Sequence, residues 1–327
     1  MSTHRRLFVR AAAVLAAGPL LPAHGQDATY PNRTIRLVVG FPAGQSLDIG
    51  ARAIALRLTT ELGQTVIVDN KPGATGIIAH EFVKTAVPDG YTLLMASGAT
   101  LAINPGLYRK LPYDPIKDYT PIVLVNSSPM YLVTSPSVPV QNVQEMLAYV
   151  RARPGQLAYA SGGSGLTQHI AMEMLKKDAG LDILHVPYKG SPAAVTDLIA
   201  GRVQFAFDSA PSILPHADSG RVRLLGISSM TRSSRRPDVM TIAEQGVPGF
   251  QALTWAAILG PAGMPANTVE RLNVAMNRVL STREMQDYYS NVGSTVAGGS
   301  PSALTEFNRA EIVRWGAAVK ASGAQVD

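Results

Sequence analysis

The chain has 327 residues, room for one large or two medium domains, and 46% of them are hydrophobic, which supports a real core and excludes a disordered chain. It has no cysteine, which excludes disulfides and thiolate metal sites. Of its formal charge of +6, half sits at the start: without Arg5, Arg6 and Arg10 the balance is 26 basic against 23 acidic residues.

Residues 1–25 read as a bacterial export signal. A basic start, "MSTHRRLFVR", precedes a short apolar run, "AAAVLAAGPLLPAHG", with Ala23 and Gly25 at −3 and −1 of a cleavage site before Gln26. Pro19 and Pro22 break the run, which is too short to span a bilayer. Arg5-Arg6 is compatible with twin-arginine export as well as the general secretory route. The expected location is the periplasm.

From Thr34 strands and helices alternate. "TIRLVVG" is a buried strand. "SLDIGARAIALRLTTELG" is an amphipathic helix with Leu47, Ala51, Ile54, Ala55, Leu58 and Leu62 on one face, Ser46 as N-cap and Gly63 closing it. "TVIVDN", "GIIAHEFVKTAV" and "YTLLMAS" complete a βαβαβ pattern, hence a parallel sheet with helices on its faces. Six prolines between Pro112 and Pro139 interrupt it, and "TPIVLVNSSPMYLVTS" reads as extended chain crossing to a second body.

The alternation then restarts with "VQEMLAYVRAR", "QLAYAS", "GLTQHIAMEMLKKDAG", "DILHVPY", "SPAAVTDLIAG", "VQFAFD" and "VRLLGIS". Ser191 reads as N-cap and Pro192 as first helical residue of its helix. "VPGFQALTWAAILGP" is a second crossing. The tail reads as helices without new strands, packed back on the first sheet. The expected fold is α/β with two parallel-rich sheets flanked by helices: residues 29–127 with 250–327 form domain 1, residues 128–249 form domain 2, and a ligand cleft opens between two hinge crossings.

Two turns carry the chemistry. "FPAGQSLDIG" leaves the first strand and enters a helix without Lys, Arg or His. First-turn N–H groups of a helix lack internal partners and carry partial positive charge, so a carboxylate or phosphate can be held by backbone alone. An ordinary strand-to-helix turn uses the same Gly and Ser residues. "YASGGSGLTQHI" repeats the arrangement in the second body, with Gly162, Gly163 and Gly165 beside Ser161, Ser164 and Thr167. "NKPGATGII" and "MASGATLAINPGLY", with Ser97, are candidate walls. His169 is either a buried histidine bonded to backbone or a ligand contact; Asp208 either accepts from a ligand or caps the helix after it.

Enzyme motifs fail. "GGSGL" lacks the last Gly of G-x-S-x-G, "AHEFVK" lacks the second His of a zinc helix, no phosphate-binding GxxxxGK[ST] loop occurs, and no His and carboxylate cluster has metal spacing. No catalytic residue, metal or cofactor is expected. "TRSSRRP", the one dense basic stretch, has no interleaved aromatics and reads as a solvated loop, so no nucleic-acid partner is expected.

"YPNRTIRLVVGFPAGQSLDIGAR", "NKPGATGIIA", "PDGYTLL", "INPGLY", "YDPIKDYTPI", "VPYKGSPAAVTDLIAGRV" and "RRPDVMTIAEQGVPGF" together resemble, in order and over essentially the whole mature chain, the Bug family of solute receptors of tripartite tricarboxylate transporters. The resemblance implies a periplasmic-binding-protein fold, a small organic carboxylate as ligand, hinge closure, and membrane permease subunits as partners of a monomeric receptor. It places the grip on Pro42, Ala43, Gly44, Gln45, Ser46 and Asp48, and on Ser161, Gly163, Ser164, Gly165, Leu166 and Thr167; Phe41, Ser97 and Asp208, read from the turn and strand ends themselves, are further candidates. Where the family usually reads FPAGG-S-T/S-D, this chain has Gln45 and Leu47, and Leu166 stands where Thr or Ser is usual. Facing the cleft, those leucines imply a ligand less polar than a citrate-like acid; facing the core of their own helices, they imply nothing about it. A signalling receptor or an enzyme on the same fold are the alternative functions.

Overall fold

The computed structural model describes residues 30–188 and 190–325; the export segment expected at residues 1–25 lies outside them. The first βαβαβ unit is β1 (Ile35–Val39), α1 (Ser46–Leu62), β2 (Val66–Asn70), α2 (Ile77–Lys84) and β3 (Thr92–Ser97). A π-helical turn (Ala99–Ile103) and α3 (Asn104–Leu107) follow. β4 (Tyr119–Thr134) is the first crossing, a single strand of 16 residues. The second unit comprises α4 (Val143–Arg151), β5 (Ala158–Ser161), α5 (Thr167–Ala179), β6 (Leu184–Pro187), α6 (Ser191–Ile199), β7 (Phe205–Ser209), α7 (Ala210–Asp218) and β8 (Arg223–Ile227). β9 (Leu253–Pro261) is the return crossing, followed by α8 (Ala266–Ser281), α9 (Arg283–Asn291), β10 (Thr295–Gly298) and α10 (Pro301–Ser322). Among the described residues no helix is long and apolar enough to cross a membrane.

The strands run β2-β1-β3-β9-β4-β7-β5-β6, with β8 and β10 also paired to β4. β1 pairs parallel with β2 and β3, and β5 pairs parallel with β6 and β7. The orders β2-β1-β3 and β6-β5-β7 are therefore the same, and each places neighbouring strands on both sides of the first. Helices leaving such a strand diverge to opposite faces, which opens a crevice beyond its carboxyl end. The turns after β1 and β5 are at those two crevices.

The two expected sheets are joined into one path, because β4 is long enough to serve both. Its first part pairs antiparallel with β9, and residues from Met130 to Thr134 pair with β7. Two differences lie in the tail. Residues from Thr295 to Gly298 form a strand, β10, against Leu124 to Ser127 of β4. Helix α10 does not stay on the first unit: it packs against α3 and the π-helical turn and also against α5.

Alternation along the strands sorts the core. Ile35, Leu37 and Val39 of β1 face Ile54 and Leu58 of α1 and Leu272 and Met276 of α8. Val38 and Leu94 face the opposite side, in a cluster that continues through Leu107 and Trp315 to Ile170 and Met172 of α5. Val133, Ala160 and Ala206 pack under α6 and α7. The inner strands β3 and β7 are mostly buried on both sides, as covered sheets require, whereas the edge strands β2 and β6 are largely half-buried or exposed.

Candidate functional site

A cleft of about 380 Å³ opens at the carboxyl ends of β1 and β3 and is walled by β4, β9, α9 and the first residues of α1, α5 and α7. Ser46, Thr167 and Ala210, the first residues of these three helices, all line it. Among the described residues no Asp, Glu, Lys, Arg or His lines it. Its polar groups are Gln45, Ser46, Ser97, Asn126, Ser128, Thr167, Ser209, Thr254 and Ser294, with the indole of Trp255 and the phenols of Tyr288 and Tyr289. The rest of the wall is apolar, including Phe41, Leu47, Met95 and Val292.

The turn after β1 is closed from beneath by its own helix. Ser46 is not its N-cap: Gln45 holds that place with an extended backbone (φ −78°, ψ 160°) and no capping side chain. Instead Asp48 folds back, its carboxylate accepting from the N–H of Gly44 (2.8 Å), Nε of Arg52 (3.0 Å) and Nδ2 of Asn70 (2.9 Å). Asn70 also donates to the carbonyl of Phe41 (3.0 Å), tying β2 to the turn. Burial of Asp48 pushes its carboxyl pKa up. The Arg52 hydrogen bond, the Gly44 N–H and the Asn70 amide outweigh burial and hold it below the usual carboxylate range. Gly44 takes φ +83°, a left-handed conformation that favours glycine.

The turn after β5 repeats this closure with a histidine. The N–H of Gly165 donates to Nδ1 of His169 (3.0 Å), again four residues on. His169 is therefore the backbone-bonded buried histidine, with its proton on Nε2 when neutral. Its ring stacks on His185 at 3.9 Å between centroids, and Nε2 of His185 is 2.7 Å from Oγ of Ser161. Burial pushes both imidazoles down, His185 to about 4, and for His185 the neighbouring His169 adds to it. Beneath them Tyr159 donates to Glu173, which also binds Lys176 at 2.8 Å. A Cβ on Gly165 (φ +79°) would come within 2.6 Å of Leu107 Cδ2, so this turn is seated directly on α3.

These contacts decide which predicted residues reach the cleft. Phe41, Gln45, Ser46, Ser97 and Thr167 line it. Pro42, Ala43 and Gly44 are exposed outside its wall, and Asp48 is buried under the turn, 1% exposed. Ser161 is buried against His185 and the backbone of Gly163. Ser164 is exposed. Leu166 folds over its own turn, its Cδ1 3.4 Å from where a Cβ on Gly162 would be. Asp208 takes the capping alternative: it accepts from Ser191 Oγ (2.6 Å), Ser212 Oγ (3.1 Å) and the N–H of Ser209 (2.7 Å), tying the starts of α6 and α7 together. Burial pushes its pKa up against those bonds. Ser191, engaged this way, leaves the N-cap of α6 to Gly190 at φ +104°.

Sequence reasoning missed Asn126, Ser128, Thr254, Trp255, Tyr288 and Tyr289. "NSS" in the middle of an otherwise apolar crossing strand was the available signal, since polar residues in a buried strand need partners. Ser128 Oγ is 2.5 Å from Ser294 Oγ, and Thr254 Oγ1 donates to the carbonyl of Ser128 (3.2 Å). A second depression, about 400 Å³, lies by Arg223, Arg236 and Met240. Its cations are already engaged: Arg223 binds the carbonyls of Val138 and Val140, and Arg236 binds Asp218 and Asp238. Arg232 pairs with Glu244 and Arg235 with the carbonyl of Asn291, so the basic stretch is spent on its own chain.

Comparison with known proteins agrees with this geometry. The family described as "Tripartite tricarboxylate transporter family receptor" matches residues 50–324. The protein BugT of Bordetella pertussis is 35% identical over the full length of both chains. The structure "R. palustris Rpa4515 with adipate" superimposes with a TM-score of 0.80 at 34% identity, covering 91% of this chain and all of that one. MatC from Rhodopseudomonas palustris with bound malate gives a TM-score of 0.75 at 31% identity, covering 89% of this chain and all of that one. With a periplasmic-binding-protein-like α/β fold and a match over most of its length, this chain belongs to the Bug, or tripartite tricarboxylate transporter receptor, family.

Proposed function

We propose that this protein is a periplasmic receptor that captures a small organic carboxylate in the cleft and delivers it to the membrane permease subunits of a tripartite tricarboxylate transporter. The observation that carries the reading is the convergence of three helix starts on a cleft that has no charged side chain among the described residues. The partial positive charge there suits one carboxylate group and leaves no fixed anion on the wall to repel it. The adipate and malate held by two relatives of the same fold support the same ligand class. Among the described residues the wall also offers no His or carboxylate to move a proton near neutral pH, which favours capture over catalysis.

In this reading residues 29–127 with 250–327 and residues 128–249 act as two bodies that close over the ligand about β4 and β9. The receptor works as a monomer after cleavage of its export signal. The test is a thermal-shift panel on protein stripped of co-purified ligand, spanning citrate, dicarboxylates, acidic amino acids and aliphatic or aromatic monoacids. Ligand at about a hundredfold over its dissociation constant adds roughly 2.7 kcal/mol of stability. Small-angle scattering should show contraction with the same ligand, and deletion of the gene should abolish its uptake. Absence of a shift with every carboxylate overturns the reading.

A further inference from the structure

Tyr289 stands apart among the residues of the cleft. It projects from α9 and is only 4% exposed, yet its hydroxyl has no hydrogen-bond partner among the described residues. A buried polar atom without a partner destabilises a fold by about 1–3 kcal/mol, so its retention calls for a use. A phenylalanine would fill the same volume without that cost.

The surroundings say where the hydroxyl is. A Cβ on Gly50 would lie 3.5 Å from Tyr289 Oη and 3.7 Å from Met95 Cε, and Gly50, Met95 and Tyr289 all line the cleft. Gly50 is inside α1, four residues beyond Ser46, which at 1.5 Å per residue is about 6 Å along the helix axis. Glycine in a helix interior is unfavourable by roughly 0.5–1 kcal/mol relative to alanine. Here it keeps any side chain from packing on the phenol hydroxyl from the side of α1, although the hydroxyl has almost no exposed surface of its own. The hydroxyl therefore lies about one helical turn past the helix start that suits a carboxylate. Burial pushes the phenol's pKa up, so the group stays protonated and offers a donor at any physiological pH.

We infer that Tyr289 is a specificity-determining residue, whose hydroxyl donates to a hydrogen-bond acceptor on the end of the ligand opposite its carboxylate. The ligand class is thereby narrowed to ditopic acids: a carboxylate at the helix starts, a short apolar middle against Met95 and Leu47, and a second polar end at α9. The inference rests on the carboxylate-receptor reading above. A neutral acceptor such as a hydroxyl and a second carboxylate share the chemistry, and they differ in charge.

The experiment compares matched acids of four to eight carbons that differ only at the far end: methyl, hydroxyl or carboxylate. In the six-carbon set these are hexanoate, 6-hydroxyhexanoate and adipate. Titration calorimetry on ligand-stripped wild type should rank an acceptor-ended acid above its methyl-ended partner. Tyr289→Phe should cut that preference about tenfold or more, with affinity for the methyl-ended acid nearly unchanged. The same variant, without ligand, should melt at or above the wild-type temperature, since it loses only an unpaired hydroxyl. A tyrosine kept for structure alone would show the reverse, a lower melting temperature and an unchanged preference, and that result overturns the inference. The rank of the hydroxyl-ended against the carboxylate-ended acid identifies the second group. If wild type binds none of these acids while another carboxylate of the thermal-shift panel stabilises it, the inference falls and the receptor reading stands; if no carboxylate stabilises it, the receptor reading itself falls; if it binds the acids and Tyr289→Phe leaves their ratios intact, only the role of Tyr289 falls.

Discussion

The indole of Trp255, on the wall of the cleft, is hydrogen-bonded to Glu311 in the C-terminal helix, Nε1 to Oε2 over 2.9 Å. The same carboxylate oxygen accepts from Nε1 of Trp315 at 2.9 Å, and Arg314 pairs with the other oxygen. Glu311 is 4% exposed, and the indole of Trp255 is also wedged against Gly98, where a Cβ would sit 2.6 Å from Nε1. Helix α10, which begins 40 residues after β9 ends, thus sets the angle of a cleft side chain, and both tryptophans of the chain depend on one acid.

Glu311→Ala should therefore destabilise the protein by about 2–4 kcal/mol, because it leaves two buried indole donors without an acceptor and Arg314 with only Gln251 to bond. Glu311→Gln retains one acceptor oxygen and should cost about 1 kcal/mol. Urea denaturation followed by intrinsic fluorescence reads both, since both emitters report on the mutated site. A Glu311→Ala protein as stable as wild type would show that the indoles find other acceptors and that α10 does not hold the wall.

Much of the fold was readable because each helix and strand carries its own period. The stripe from Ala51 to Leu62 is the buried face of α1, and Gly63 ends the helix in the left-handed conformation. β10 was not readable: "TVAG" is short, half-exposed, and takes its strand form from the edge that β4 offers. Of the two turns, the one after β1 brings Phe41, Gln45, Ser46 and Leu47 to the cleft and the one after β5 only Thr167, and their inner architecture was not readable. Gly44 to Asp48 and Gly165 to His169 are backbone-to-side-chain closures that depend on where the first helical turn points, and Ser46 looked like the better cap for want of that geometry. Tyr289 was hidden for another reason. It reaches the cleft only through long-range packing of α9 on α1, and no local pattern distinguishes it from Tyr288 beside it.

A buried and a half-buried imidazole give the protein an acid limit. His80, 1% exposed and stacked on Tyr113, has its pKa pushed down by burial to about 3, and His185 is pushed to about 4. An unfolded histidine titrates near 6.5. Between these values the unfolded chain binds protons that the folded chain refuses, so stability rises with pH there. Stability is complete above about pH 6.5 and falls as pH drops toward 4, by at most about 1.4 kcal/mol per unit for each group. Asp48 adds to the loss at lower pH, since its lowered pKa makes its stabilisation present above the ordinary carboxylate range and lost as pH falls through the folded value. Denaturation midpoints at pH 7.5, 6, 5 and 4.5 should decline in that order, and less steeply in His185→Asn. A flat profile across this range would mean that His80 and His185 are protonated in the folded protein.

Leu47 and Leu166 replace hydroxyl residues usual in the resembling family, but they have different surroundings here. Leu47 lines the cleft and also packs against the core beneath α1; Leu166 leans on Gly162 and Gly163 and does not face the cleft. Only Leu47 can therefore shape ligand choice. Leu47→Thr brings a donor to the wall and removes apolar area, which weakens contact with an aliphatic ligand at roughly 25 cal/mol per Å² lost. A hydroxyl that pairs with a polar ligand group contributes about 0.5–1.5 kcal/mol, a few-fold to tenfold in affinity. Leu47→Thr should accordingly shift preference from adipate toward citrate by about tenfold, at a stability cost of about 1 kcal/mol from the part of the side chain that is buried. Leu166→Thr should leave the ratio of the two affinities unchanged and lower only the melting temperature, because it loosens the turn over Gly163. Calorimetric titration of both variants with both acids separates the two positions. An equal shift in preference from Leu166→Thr would mean that the turn after β5 opens to put residue 166 against the ligand, and the division of roles between the two leucines would then be wrong.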